Sequence, residues 1–256
     1  MENWLLLTIS GLVSGILAGL LGIGGGTVLV PLQLAFGYTP LQAVATSSLA
    51  IVITATSGTI QNWRMGFINI KQVILLGIPA VITAYFSAGL AKSIPPKNQL
   101  VAFGILLLFT IYLVDLRKNL SKKQEAETEQ NQSKISSIIS RIVTGGTAGI
   151  LAGIFGVGGG VIMVPLQIIL LGETIKVAIQ TSLGVIVMSS LSAATRHAFE
   201  GNILLVPGLI LGFGGLIGAQ ISTRFLPKLK DQVVSLMFRV GLAILAAYVF
   251  WKASTI

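Results

Sequence analysis

The sequence lacks cysteine altogether, and it has a single histidine and only eight acidic residues among its 256 positions. Without cysteine there is no disulfide framework and no thiolate metal site, and one histidine cannot form a cluster of metal ligands. Charge of either sign is scarce, since Asp, Glu, Lys and Arg make up 10% of the chain whereas 54% of it is hydrophobic. This composition excludes a soluble globule and indicates an integral membrane protein.

Acidic residues are also missing from the interior of the long apolar runs. Asp115, Glu173 and Glu200 lie at the ends of such runs. Carboxylates that would bind Na⁺ or protons within the membrane are therefore not visible, and paired carboxylates or histidines for catalysis are not visible either. We expect a protein that is not an enzyme and that uses no cofactor or metal.

The formal net charge is +9, but most basic residues lie in short loops beside apolar runs. Membrane topology explains such a distribution, so we expect a lipid bilayer and not nucleic acid as the partner. The first residues have no basic segment, and the apolar run that follows them contains the first copy of a repeated motif. We therefore expect this run to belong to the mature fold and not to a cleaved signal.

That repeated motif is a glycine cluster. Gly22-Ile23-Gly24-Gly25-Gly26 continues into an apolar segment with Val-Pro-Leu-Gln, and Gly156-Val157-Gly158-Gly159-Gly160 does the same 134 residues later. Each glycine lowers helix stability by roughly 1 kcal/mol relative to alanine. Irregular backbone at membrane depth is tolerated only where it is buried in protein or lines a wet cavity. The duplication predicts a Gly-rich helix break or re-entrant hairpin in each half, near a transport site.

Apolar runs near spanning length predict an all-α polytopic membrane protein with about eight transmembrane segments in two four-segment repeats. The runs cover 5–36, 41–60, 73–91 and 100–114, and then 142–171, 177–195, 203–223 and 233–251. We assign residues 1–115 to the first repeat, 116–136 to a polar, flexible cytoplasmic linker and 137–256 to the second repeat. The cell membrane is the expected location.

The distribution of Lys and Arg favours one of two topologies. If each glycine-rich stretch crossed the membrane, ten basic residues would face one side and six the other. If each folds back as a hairpin, the count becomes twelve to four, as the positive-inside rule expects. The hairpin also leaves three full crossings per repeat, so that the two halves are inverted. We favour this arrangement, with both termini outside and the linker in the cytoplasm.

The chain has two Gly-(Ile/Val)-Gly-Gly-Gly phrases, each followed by Val-Pro, and a polar linker joins its two four-segment halves. In these features it resembles the TauE/SafE family of sulfite exporters. The resemblance covers nearly the whole sequence. It implies transport of sulfite, sulfoacetate or other small organic anions across the cytoplasmic membrane.

The glycine clusters also suggest how an anion is held. A half-helix that begins after Gly24, Gly25 and Gly26, or after Gly158, Gly159 and Gly160, points free N–H groups and the positive end of its dipole at a ligand. The alternative is that the glycines serve only close helix packing.

Polar residues within the spans are further candidates for the substrate site. At an offset of 134, Gln33 matches Gln167, and the run Thr46, Ser47, Ser48 matches Gln180, Thr181, Ser182. Their amides and hydroxyls can donate to an anion, although serine and threonine also bond back to their own helix. Arg196, His197 and Arg239 are candidates for a gate or for proton coupling, and the alternatives are interfacial anchoring and snorkelling.

These observations predict a transporter of small anions that works by alternating access, with an anion channel of the same architecture as the alternative.

Overall fold

The computed structural model of the chain describes residues 4–124 and 134–255. The described residues form ten α-helices, which are α1 (Trp4–Leu21), α2 (Gly26–Ala35), α3 (Pro40–Arg64), α4 (Ile70–Leu90), α5 (Pro96–Gln124), α6 (Lys134–Phe155), α7 (Gly160–Leu170), α8 (Ile175–Phe199), α9 (Leu205–Phe225) and α10 (Asp231–Ser254). Eight are long and apolar enough to cross a membrane, and α2 and α7 are shorter. The predicted all-α class with eight spans is confirmed.

Local sequence sets the starts of the two most buried spans. The Thr39 side chain accepts a hydrogen bond from the Gln42 N–H at the start of α3, and the Gln42 side chain in turn accepts from the Thr39 N–H. Thr174 caps α8 with its hydroxyl alone, which accepts from the Val177 N–H. Each cap satisfies backbone donors that the helix itself leaves unpaired.

Helix α1 packs along α9, and the two helices run in the same direction. Small residues allow this close approach, since a side chain at Gly15 would overlap the backbone of Gly215. The successive contacts are Gly11 with Leu211, Gly15 with Gly215 and Gly19 with Ser222. Helix α6 packs along α4 in the same parallel manner, through Gly145, Gly149 and Gly153. The first helix of each half is therefore packed against the other half.

Two sets of helices run in opposite directions. Helix α3 is parallel to α9, because Thr46 contacts Leu204 at the start of α9 and Ser57 contacts Leu216 further along it. Helix α4 is parallel to α8, since Gln72 bonds to Glu173 at their starts and Lys92 pairs with Glu200 at their ends. Leu204 lies five residues beyond the end of α8, and it contacts Thr46 near the start of α3. Helix α3 is therefore antiparallel to α8.

Helix α5 extends further than the sequence predicted. It continues to Gln124, and α6 begins at Lys134, so both helices enter the segment 116–136 that we assigned to a flexible linker. Residues 116–124 contain Leu, Arg, Lys and Gln without Gly or Pro, and these residues have high helix propensity. The remaining part of the assigned linker, residues 125–133, lies outside the described residues.

Candidate substrate-binding site

The glycine clusters connect a long helix to a short one in each half. Gly22, Gly24 and Gly25 adopt φ angles of 67°, 76° and 79°, and Gly156, Gly158 and Gly159 adopt 63°, 76° and 80°. Residues with a Cβ lose about 1–2 kcal/mol of stability in this left-handed conformation. The chain therefore turns sharply after Leu21 and after Phe155, and a new helix begins at Gly26 and at Gly160.

The two glycine clusters, residues 22–26 and 156–160, are called the glycine segments from here on, and they contact each other reciprocally. Gly26 lies against the Gly156 carbonyl, and Gly160 lies against the Gly22 carbonyl, so close that a methyl group at either position would overlap the facing backbone. The first residues of the two segments also make equivalent contacts, because Gly22 lies against Ile179 of α8 as Gly156 does against Val44 of α3. All ten residues of the two segments are buried.

Helix α2 begins beside the middle of α1 and then follows the first part of α3. The Ser14 hydroxyl of α1 donates to the Gly25 carbonyl over 2.9 Å, seven residues before α1 ends. Further along α2, the Gln33 amide contacts Ala43 and Ser47 of α3. The chain thus folds back after α1, and the N-terminus of α2 lies deep inside the protein.

No side chain caps either short helix. Gly25 and Gly159 are the N-cap residues, and neither offers a side-chain acceptor. In α2 the Val28 and Leu29 N–H groups donate to the Gly25 carbonyl over 3.0 Å, so the N–H groups of Gly26 and Thr27 precede the first helical bonds. Helix N-termini with such free donors favour anions.

The predicted glutamines make matching contacts, but in a register shifted by one residue. Gln33 Nε2 donates to Ser47 Oγ over 2.6 Å, whereas Gln167 Nε2 donates to Ser182 Oγ over 2.9 Å. Helix α7 is one residue longer than α2, so the offset between the halves changes from 134 to 135. The match of Ser48 with Ser182 was therefore wrong, and Ser47 is the equivalent of Ser182.

The other predicted side chains near the start of α3 and α8 are buried. The Thr46 hydroxyl accepts from the Leu204 N–H over 3.1 Å, and the Ser48 hydroxyl donates to the Val44 carbonyl of its own helix over 2.9 Å. These bonds engage both hydroxyls with the protein. Gln180 and Thr181 are buried in the first turns of α8.

Two hydroxyl groups at the glycine segments were not predicted. Thr27 is the second residue of α2, and its buried hydroxyl has no hydrogen-bond partner. Ser190 Oγ also has no partner, and it lies 3.4 Å from the position that a Cβ would take at Gly158. Their equivalents in the other half, Val161 and Ala55, carry no hydroxyl. Thr27 and Ser190 therefore do not belong to the polar pairs that match between the two halves. In the sequence each is marked only as a polar residue within an apolar helix.

The three candidates for a gate or for coupling do not form one cluster. Arg196 Nη2 lies 2.8 Å from Glu200 Oε1, and its guanidinium lies 5.6 Å from the centre of the Tyr85 ring. His197 is next to it in α8 but is completely buried. Arg239 lies in α10, and its Nε donates to the Ser235 carbonyl over 3.4 Å.

The centre of the protein is polar but uncharged. None of the Lys, Arg, Asp or Glu residues whose side chains are described is buried. Among the described residues there is also no cluster of His, Asp or Glu that could hold a metal ion. An anion at the glycine segments would therefore have no buried Lys or Arg side chain, among those described, to neutralise it.

Comparison with known proteins gives a consistent result. A family model described as "Sulfite exporter TauE/SafE" matches residues 7–249. A "probable membrane transporter protein" of Bacillus subtilis, YunE, is 28% identical over an alignment 279 positions long, which covers 98% of this chain and 98% of the relative. A protein of Methanocaldococcus jannaschii with the same description is 26% identical, with 94% of each chain covered.

Proposed function

The chain belongs to the TauE/SafE sulfite exporter family of membrane transporters, and on this basis we propose that it carries sulfite or related small organic anions by alternating access. The anion is held between the N-termini of α2 and α7. The observation that carries this proposal is the reciprocal contact of the two glycine segments, which brings both uncapped helix N-termini together inside the protein.

The electrostatics of this junction favour a small anion. Each helix N-terminus is equivalent to roughly half a positive charge, and backbone N–H groups supply directed donors for oxyanion oxygens. The unpaired hydroxyls of Thr27 and Ser190 add two donors beside the segments. A site built from dipoles and not from a fixed cation binds an anion reversibly, as a carrier requires.

Inverted repeats provide a mechanism for alternating access. Helices α1 and α3 run with α9, whereas their counterparts α6 and α8 run with α4, so equivalent helices of the two halves point in opposite directions. This supports the re-entrant arrangement of the glycine segments. Twelve of the basic residues then face the cytoplasm and four the outside, and rocking of one half against the other opens the buried segments to each side in turn.

The test is anion flux in proteoliposomes with variants at the two unpaired hydroxyls. Thr27→Val and Ser190→Ala remove donors that make no bond within the protein, so folding is preserved while sulfite flux falls. Thr110→Val is the matched control, because the Thr110 hydroxyl bonds to the Leu106 carbonyl of its own helix in α5. Wild-type flux in both site variants would contradict the proposed site.

The same proteoliposomes separate a carrier from an anion channel. A carrier changes conformation for every turnover, on a timescale of microseconds to milliseconds or slower, so its flux saturates with substrate concentration. Unitary currents in a planar bilayer would instead show a channel.

A further inference from the structure

Two completely buried polar side chains occupy equivalent positions near the ends of α3 and α8. Asn62 lies two residues before α3 ends, and His197 lies two residues before α8 ends. The offset of 135 is the one that relates the serines bonded by the two glutamines. The backbone repeats the equivalence, because the Asn62 carbonyl accepts from the Phe67 N–H over 3.0 Å and the His197 carbonyl from the Asn202 N–H over 3.1 Å.

Neither side chain has a hydrogen-bond partner. Both amide atoms of Asn62 and both ring nitrogens of His197 are unpaired, and the Gly153 carbonyl of α6 lies near the imidazole but outside hydrogen-bond geometry. An unsatisfied buried polar group destabilises the folded state. Buried polar groups in proteins are nearly always paired, so two unpaired groups at equivalent positions call for a functional explanation.

The chemistry shared by these two residues defines that ligand. An amide and a neutral imidazole each present an N–H donor and a separate acceptor. A dianion offers acceptors only, and a metal ion offers no acceptor for the N–H. We propose that Asn62 and His197 are two transit subsites for an oxyanion that retains a proton, such as hydrogen sulfite, on its way to and from the central site. This inference rests on the proposed function and specifies the ionic form of the substrate.

The two subsites lie on opposite sides of the glycine segments. Ile51 of α3 and Ile186 of α8 contact those segments. Asn62 follows Ile51 by eleven residues and His197 follows Ile186 by eleven, which corresponds to about 16 Å along each helix. Because α3 and α8 are antiparallel, one subsite lies towards each side of the membrane.

The surroundings of the two subsites differ in charge. Arg196 and Glu200 flank His197 on its own helix, and Lys92 lies 3.5 Å from Glu200 Oε1. Tyr85 of α4 contacts Arg196, and Lys97 is exposed at the same end of the protein. The positions equivalent to Arg196 and Glu200 are Gln61 and Met65, so the Asn62 subsite has uncharged neighbours there. An effect of protonation at His197 can therefore be distinguished by comparison with Asn62, whose side chain does not titrate.

The test exchanges the two residues and compares the exchange with apolar replacements. In His197→Asn and Asn62→His the donor and acceptor are retained, so we expect sulfite flux within about twofold of wild type. In His197→Leu and Asn62→Leu both are lost, and we expect flux to fall about tenfold. A thermal-shift titration with sulfite should give an unchanged Kd in the leucine variants, because the central site is intact.

Other roles for these residues predict different results. If the side chains are only unpaired core groups, the leucine variants will melt at a higher temperature and transport normally, which would overturn the inference. A His197→Asn variant as inactive as His197→Leu would show that proton binding is required, and would overturn it as well. Sulfate flux equal to that of sulfite would contradict the requirement for a proton on the substrate. If the wild-type protein neither binds nor transports any oxyanion, the proposed function itself fails.

Discussion

The contact between the glycine segments can be tested with a single methyl group. Gly26 has no positive φ angle, so alanine fits its backbone conformation. The added Cβ would overlap the Gly156 carbonyl and lie 2.6 Å from Ile51 Cδ1 and from Val157 Cα. Because much of the facing surface is backbone, the two segments must move apart to accept the methyl group.

The expected change in the stability of Gly26→Ala is the difference between two opposing effects. Alanine in place of a helical glycine stabilises the helix by roughly 0.5–1 kcal/mol. Overpacking of a tight interior costs about 1–3 kcal/mol. The net loss of stability is therefore between about 0 and 2.5 kcal/mol, and the two N-termini no longer meet. Because an anion held between the two N-termini requires this close approach, the cost falls on the anion-bound state, and anion affinity drops about five- to 150-fold.

Binding of sulfite to purified Gly26→Ala is measured by thermal shift or calorimetry in detergent. Gly160→Ala should behave alike, because its Cβ would overlap the Gly22 carbonyl. Gly37→Ala and Gly172→Ala are controls, since these glycines have φ angles of 88° and 69° with nothing within 4 Å of an added Cβ. The controls should lose about 1–2 kcal/mol of stability and no affinity. Wild-type affinity in Gly26→Ala and Gly160→Ala would refute anion binding between the two glycine segments.

Two further predictions concern stability and topology. Gln167→Leu removes the donor to Ser182 Oγ at 2.9 Å and to the Ala178 carbonyl at 3.3 Å, so the free energy of unfolding should fall by about 1 kcal/mol, as measured by denaturation in detergent. An unchanged midpoint would show that these bonds contribute nothing. Because the chain lacks cysteine, Arg224→Cys and Lys92→Cys are unique labels, and an impermeant thiol reagent applied to intact cells should modify only the second, since these two positions face opposite sides only if the glycine segments are re-entrant. Labelling of both from outside would exclude the re-entrant topology.

Much of the fold could be predicted because it depends on local properties. Hydropathy over about twenty residues defines a span, and the eight runs correspond to the eight long helices. The length of α5 was underestimated, because a polar helix has no hydropathy signal after it leaves the membrane. The packing of α1 on α9 joins residues about 200 positions apart, such as Gly15 and Gly215, and no local pattern specifies which glycine-containing helices meet.

The candidate site was predicted less completely, for reasons that depend on single residues. One additional residue in α7 leaves the apolar pattern unchanged, so the shift that pairs Ser182 with Ser47 was invisible without the contacts of the glutamines. Thr27 and Ser190 have no counterpart in the other half, and symmetry therefore argued against them. The sequence gives no signal for Asn62, because its burial depends on neighbours that are distant along the chain.

The reciprocal packing of α1 on α9 and of α6 on α4 has a consequence for biosynthesis. When the ribosome has completed the first half, the glycine face of α1 still lacks its partner, because α9 is about two hundred residues away in the chain. The two halves therefore cannot mature independently and then dock as finished units. They interlock, and the native packing of α1 is completed only after the ninth helix has entered the bilayer.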